Sequence, residues 1–160
     1  MYVDYQTLPA SSRIWIYQSD RVFSEEEVKF ISMKAVEFID AWTRHGDHLK
    51  GSFTIKYNQF LVLSVDESFA NASGCSIDAS VRFIKQLEEI LSVDMMNKLN
   101  TCYRDGELIK TLSLSAFQKE VNENRITEKT IVFNNMVQTK EAFESQWEVM
   151  AKDSWHSRFV

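Results

Sequence analysis

Proline and glycine are scarce in this chain, with one Pro and four Gly in 160 residues. So few breakers exclude a collagenous repeat or a long disordered linker. Cysteine is scarcer than a disulfide framework requires: Cys75 and Cys102 are the only two, loosely spaced. That usage fits a reducing, cytoplasmic compartment. Between Met1 and Arg13 there is an early acid, Asp4, and no apolar run of signal-peptide length. The longest apolar stretch, Phe60 to Val65, is interrupted by Ser64. It falls far short of the ~20 residues that cross a bilayer, so no membrane span is expected. An excess of positive charge is also missing. Eighteen basic against 23 acidic residues leave a net charge of -5, which argues against nucleic acid or an anionic membrane as the main partner.

What is present is the composition of a globular protein, 44% apolar and 12% aromatic. At this length roughly 70% of the unfolded surface can be buried, so a core forms without disulfide, metal or cofactor. Ile14 to Tyr17 reads as a first strand. Ser24 with Glu27 forms a capping box, and Val28, Ile31, Ala35, Phe38, Ile39 and Trp42 make one helical stripe, with Gly46 as its stop. Ser52 to Tyr57 alternates as a half-exposed strand, and Phe60 to Val65, apolar on both faces, reads as a covered central strand. A second helix capped by Ser76 or Asp78 carries Val81, Ile84, Leu87 and Leu91. Asp105-Gly106 marks a hairpin between Thr101 to Arg104 and Glu107 to Leu112. Ser113 or Ser115 caps a third helix, Thr130 to Phe133 is a strand, and Thr139 caps a last helix through Phe143, Trp147 and Met150. The expected fold is α+β: a mixed, largely antiparallel sheet with about four helices packed on it. Residues 1–160 read as one domain, with an N-terminal arm at about 1–12 and a C-terminal tail at 153–160. Trp155 and Phe159 in that tail need a surface to dock on, either the chain's own sheet or the second subunit of a homodimer.

Several segments invite a chemical reading. Gly46-Asp47-His48-Leu49-Lys50-Gly51-Ser52 has glycines spaced as in a nucleotide-binding phosphate loop. Ser52 stands where that loop needs Lys, however, and the segment leads from a helix into a strand, the reverse of the required order. His45 and His48 lack the paired Cys-x-x-Cys element of a zinc site, so no metal is expected. Ser73-Gly74-Cys75-Ser76-Ile77-Asp78 opens a helix, where free amides and the positive end of the dipole favour an anion or a thiolate. Two uses follow. Ser73, Gly74, Ser76 and Asp78, with His48, frame an anion or small-molecule site. Alternatively Cys75 is a nucleophile, His45 its base and Asp66 the group that orients the imidazole. The competing structural role has Gly74 as a turn residue, Ser76 or Asp78 as the cap and Cys75 filling a small buried space.

Trp42-x-x-His45-Gly46, Asn58-Gln59-Phe60, Val65-Asp66-Glu67, the Ser73 to Asp78 segment and Ser154-Trp155 resemble a family of short Bacteroidetes proteins commonly labelled "ABC transporter ATPase". The similarity runs from Arg13 to Phe159, and it implies no catalytic residue, ligand or cofactor. An ABC ATPase needs a complete phosphate loop, a signature segment before the Asp-Glu strand and a longer chain, and the residues here supply none of these. The expectation is therefore a cytoplasmic binding or protein-interaction module whose partner is a small molecule or a protein. A Cys75-dependent hydrolase or transferase is the alternative, and ATP hydrolysis is not supported.

Overall fold

A computed structural model describes residues 1–68 and 72–160. The fold is α+β, with four α-helices and antiparallel sheets among the described residues. The strands are distributed over sheets of three, two and four strands rather than joined in the one sheet that the sequence suggests. The chain forms two compact units, Met1–Met96 with Gln138–Glu141, and Asn97–Val137 with Ala142–Val160. No Pro- or Ser-rich segment marks the division.

In the first unit β1 (Arg13–Gln18), β4 (Gly51–Lys56) and β5 (Phe60–Val65) form a sheet in the order β1-β5-β4. Every residue of β5 is buried, as a central strand apolar on both faces demands. The register pairs Trp15 with Leu63 on one side and Phe53 with Leu63 on the other. Both edges are blunted. Beside β1, the Ile14 amide donates to the Gln138 carbonyl at 2.9 Å and the Lys140 amide to the Ser12 carbonyl at 2.9 Å. Beside β4, Val3 and Met1 bond the backbone of Gly51, so the arm caps that edge where it begins. Lys140, buried, secures the arm by donating its ammonium to the carbonyls of Tyr5 (3.0 Å) and Leu8 (2.8 Å).

Two long helices cover this sheet. α1 (Glu25–Ala41) starts with the capping box formed by Ser24 and Glu27 and buries Ile31, Ala35 and Ile39. α2 (Gly74–Leu91) buries Ser76, Ser80, Phe83, Ile84 and Leu87. The helices run antiparallel. The Trp42 indole at the end of α1 donates to the Ser76 carbonyl at the start of α2 (2.9 Å), and Arg21, paired with Glu27 at the start of α1, reaches the Leu91 carbonyl at the end of α2 (2.8 Å). α1 ends at Ala41 with Trp42 as its C-cap, not at Gly46. Gly46 lies instead in a hairpin, β2 (Thr43–Arg44) and β3 (Asp47–His48). His45 (φ 50) and Gly46 (φ 84) form its two-residue turn, with the positive dihedrals that such turns require.

In the second unit β6 (Asn100–Asp105), β7 (Leu108–Ser113), β8 (Ile131–Phe133) and β9 (Glu148–Met150) form a sheet in the order β7-β6-β8-β9. α3 (Leu114–Asn122) follows β7 and buries Phe117. α4 (Lys140–Gln146) is shorter than its sequence suggests. Met150, read as helical, lies in β9, whose backbone pairs with β8. The tail docks on its own unit. Phe159 packs against a core of Tyr103, Phe117, Ile126, Val132 and Ala151, and His156, buried, lies between Trp155 and Phe117.

Candidate functional site

The residues singled out in the sequence fall on three neighbouring pieces of the first unit. His45 is exposed at the tip of the β2–β3 hairpin, and His48 is exposed on β3. Asp66, buried, follows β5. Ser73, Gly74, Cys75, Ser76 and Asp78 open α2, beside which β2 lies. The elements therefore meet, at the Trp42 to Ser76 hydrogen bond, while among the described residues no hydrogen bond joins Cys75, His45, His48 and Asp66 to one another. Asp66 turns to its own loop. Its Oδ1 accepts from the Ser68 amide at 2.9 Å, and the Ser68 side chain, that amide and the charge of Lys50 hold its carboxyl below the usual range.

The start of α2 corrects the expected cap. Ser73, not Ser76 or Asp78, is the N-cap, and its hydroxyl accepts from the Ser76 amide while Ser76 Oγ accepts from the Ser73 amide, a reciprocal box. Two residues expected to frame an anion thus satisfy each other, with the Ile77 amide going to the Ser73 carbonyl. Gly51 is closely approached by the protein itself. An added Cβ there would meet the Ser64 carbonyl at 2.9 Å and Ile39 at 3.3 Å. Cys75 is exposed rather than packed into a small space.

From Ala79 onward α2 lines a feature that the residue types alone do not single out. Between α1 and α2 runs a groove of about 500 Å³, lined on α1 by Lys34, Glu37 and Phe38 and on α2 by Ala79, Arg82, Phe83, Gln86, Leu87, Glu89 and Ile90. Its floor is apolar. Phe38 and Phe83 stack with centroids 4.6 Å apart and planes 2° from parallel, and Leu87 is buried beside them. Its walls are polar, with Lys34 and Glu37 paired at 3.4 Å. Cys75, Ala79, Arg82, Gln86 and Glu89 follow one another at intervals of three and four, so the exposed thiol stands on the groove-lining face one turn before Ala79. The sequence did carry a signal, since Ile90 lies off the buried stripe of α2 and is 60% exposed. Among the described residues no group of His, Cys, Asp and Glu is arranged to hold a metal, and no helix is long and apolar enough to cross a membrane. No family model, curated protein or solved structure matches this chain.

Proposed function

We propose that this protein is a protein-interaction module whose recognition site is the groove between α1 and α2. The supporting observation is the combination in one trough of a stacked aromatic floor, charged walls and an exposed Ile90. Groups that fix orientation by charge around a floor that contributes apolar area are the ingredients of a binding surface. The groove is built on two helices tied at both ends, by Trp42 to Ser76 and by Arg21 to Leu91, so its walls are pre-organised. Titration of isotope-labelled protein with the amphiphilic dye anilinonaphthalene sulfonate tests the site. Amide shifts concentrated at Phe38, Ala79, Arg82, Phe83 and Ile90, weakened by Ile90→Glu, are expected; shifts scattered elsewhere would sink the reading.

Thiol chemistry at Cys75 is the second reading, favoured by its exposure in the first turn of an 18-residue helix. Alkylation of native protein against pH separates the two. Fast modification of Cys75 with a midpoint well below ~8.5 supports the nucleophile, and a midpoint at or above that value removes it.

A further inference from the structure

The geometry points to a second copy of this chain as the occupant of the groove, bound through α2 across a two-fold axis near Gln86. This rests on the groove being the recognition site and goes further by naming what fills it. The trough is open along its length, since Glu37, Arg82, Gln86, Glu89 and Ile90 are exposed. A small ligand is ordinarily enclosed over most of its surface, whereas an open trough between helices suits a third helix that keeps its back to solvent. From Ala79 to Ile90 the lining spans about 16 Å of helix, three turns of contact.

The wall charges decide which helix. Lys34 is already paired with Glu37, but Arg82 and Glu89, seven residues and therefore about 10.5 Å apart on one face, have no ionic partner among the described residues. One free cation and one free anion two turns apart are complementary to their own order reversed. Laying α2 antiparallel on a second α2 with the axis near Gln86 sets Arg82 against Glu89 of the other copy and Glu89 against its Arg82. An isologous contact requires this self-complementarity. Gln86 then meets its own counterpart near the axis, and an amide, carrying both donor and acceptor, can bond to itself. The same axis brings Ile90, 60% exposed, opposite Val81 and Arg82 of the other copy, so the contact covers its apolar side chain. A membrane surface fits worse, because the walls carry both signs of charge and the chain as a whole is at -5.

Sedimentation velocity on the intact protein from micromolar to millimolar concentration tests this with charge reversals at exposed positions. Wild type is expected to form a concentration-dependent dimer. Arg82→Glu and Glu89→Arg each convert two attractions into two repulsions and should each weaken the dimer about ten-fold or more. An equimolar mixture of the two variants should recover it as a heterodimer, which a generally damaged fold would not do. Ile90→Glu should leave a monomer. A wild type that stays monomeric throughout, or a dimer indifferent to both reversals, overturns the inference. If the dye shifts still map to the groove in that case, the groove remains a recognition site for another protein; if they do not, both conclusions fall.

Discussion

In the buried cluster beneath α1 and α2, the aliphatic side chains of Ile31, Ile39, Leu61, Leu63, Ile84 and Leu87 form the centre. In the other unit an imidazole is part of the packing. His156 stacks on Trp155 with centroids 3.8 Å apart, faces Phe117 at 5.7 Å, and hydrogen-bonds Ser154 Oγ through Nδ1 at 2.6 Å. A core between a three-stranded sheet and helices of 17 and 18 residues draws on many apolar side chains. One built on a nine-residue α3 depends on a few aromatic residues and on the ring that fills the gap between them. The first core is sensitive to the removal of carbon, and the second is sensitive to a proton as well.

The largest test of this contrast is truncation at the centre of each core. Phe117→Ala removes the ring that Tyr103, His156 and Phe159 all touch and is expected to cost about 3–5 kcal/mol. Ile39→Ala, in the aliphatic core, is expected to cost about 2–5 kcal/mol. Urea titrations give both numbers, and hydrogen exchange assigns them. Phe117→Ala should deprotect Tyr103 and Val132 before Leu61 and Leu63, and simultaneous deprotection in both units would break the comparison.

Acid supplies the next test. Burial holds the His156 imidazole down at about 4, against 6.5 for the free side chain. The unfolded chain therefore takes up a proton that the folded chain refuses. The contribution of His156 to stability is at its full value above about pH 6.5 and falls as pH drops from there toward 4, below which this contribution is flat. The gap corresponds to about 3 kcal/mol. His45 and His48 are exposed. Asp66 and Glu27, whose carboxyls are held low by hydrogen bonds, lose their contribution only in more acidic solution. Burial also holds the Met1 amino group below its usual 8.0, so its contribution begins to fall already from about pH 8. His156→Phe should therefore make the slope between pH 6.5 and 5 shallower by the His156 share, and a slope unchanged by the substitution would show that His156 does not refuse the proton.

The same contrast governs how much could be read from the sequence. Elements with strong local signals are found where those signals put them: the Ser24 and Glu27 box opens α1, six consecutive buried residues make β5 central, and the turn at Gly106 joins β6 to β7. Segments decided by distant partners were not legible. Glu148–Met150 continues a helical pattern from Phe143 and Trp147, yet the edge of β8 draws its backbone into β9. At His45-Gly46 the sequence suits a helix stop as well as the two-residue turn that forms, because a Gly after an apolar stripe serves either purpose. In the site, residue types point to Cys75 and its neighbours, but the groove that begins at Ala79 is made by the spacing between two helices, which no single segment encodes.

The smallest effect gives the sharpest comparison, because it alters one hydroxyl in each unit. Ser73 caps α2 by accepting from the Ser76 amide, and Ser113 caps α3 by accepting from the Ala116 amide, each at 3.2 Å. Either Ser→Ala change removes an acceptor from a helix start and is expected to cost about 1 kcal/mol. The consequences should differ in kind. Ser73 also donates its amide to Ser76 Oγ, so its box is reciprocal, and α2 is clamped at the same end by the Trp42 indole on the Ser76 carbonyl. With that clamp in place, Ser73→Ala should fray little beyond the first turn and leave exchange at Phe83 and Leu87 unchanged. α3 buries only Phe117, so Ser113→Ala should raise exchange along most of its nine residues. Equal fraying in both variants would mean that helix length and tertiary clamps do not set local stability here, and the contrast between the two units would lose its physical basis.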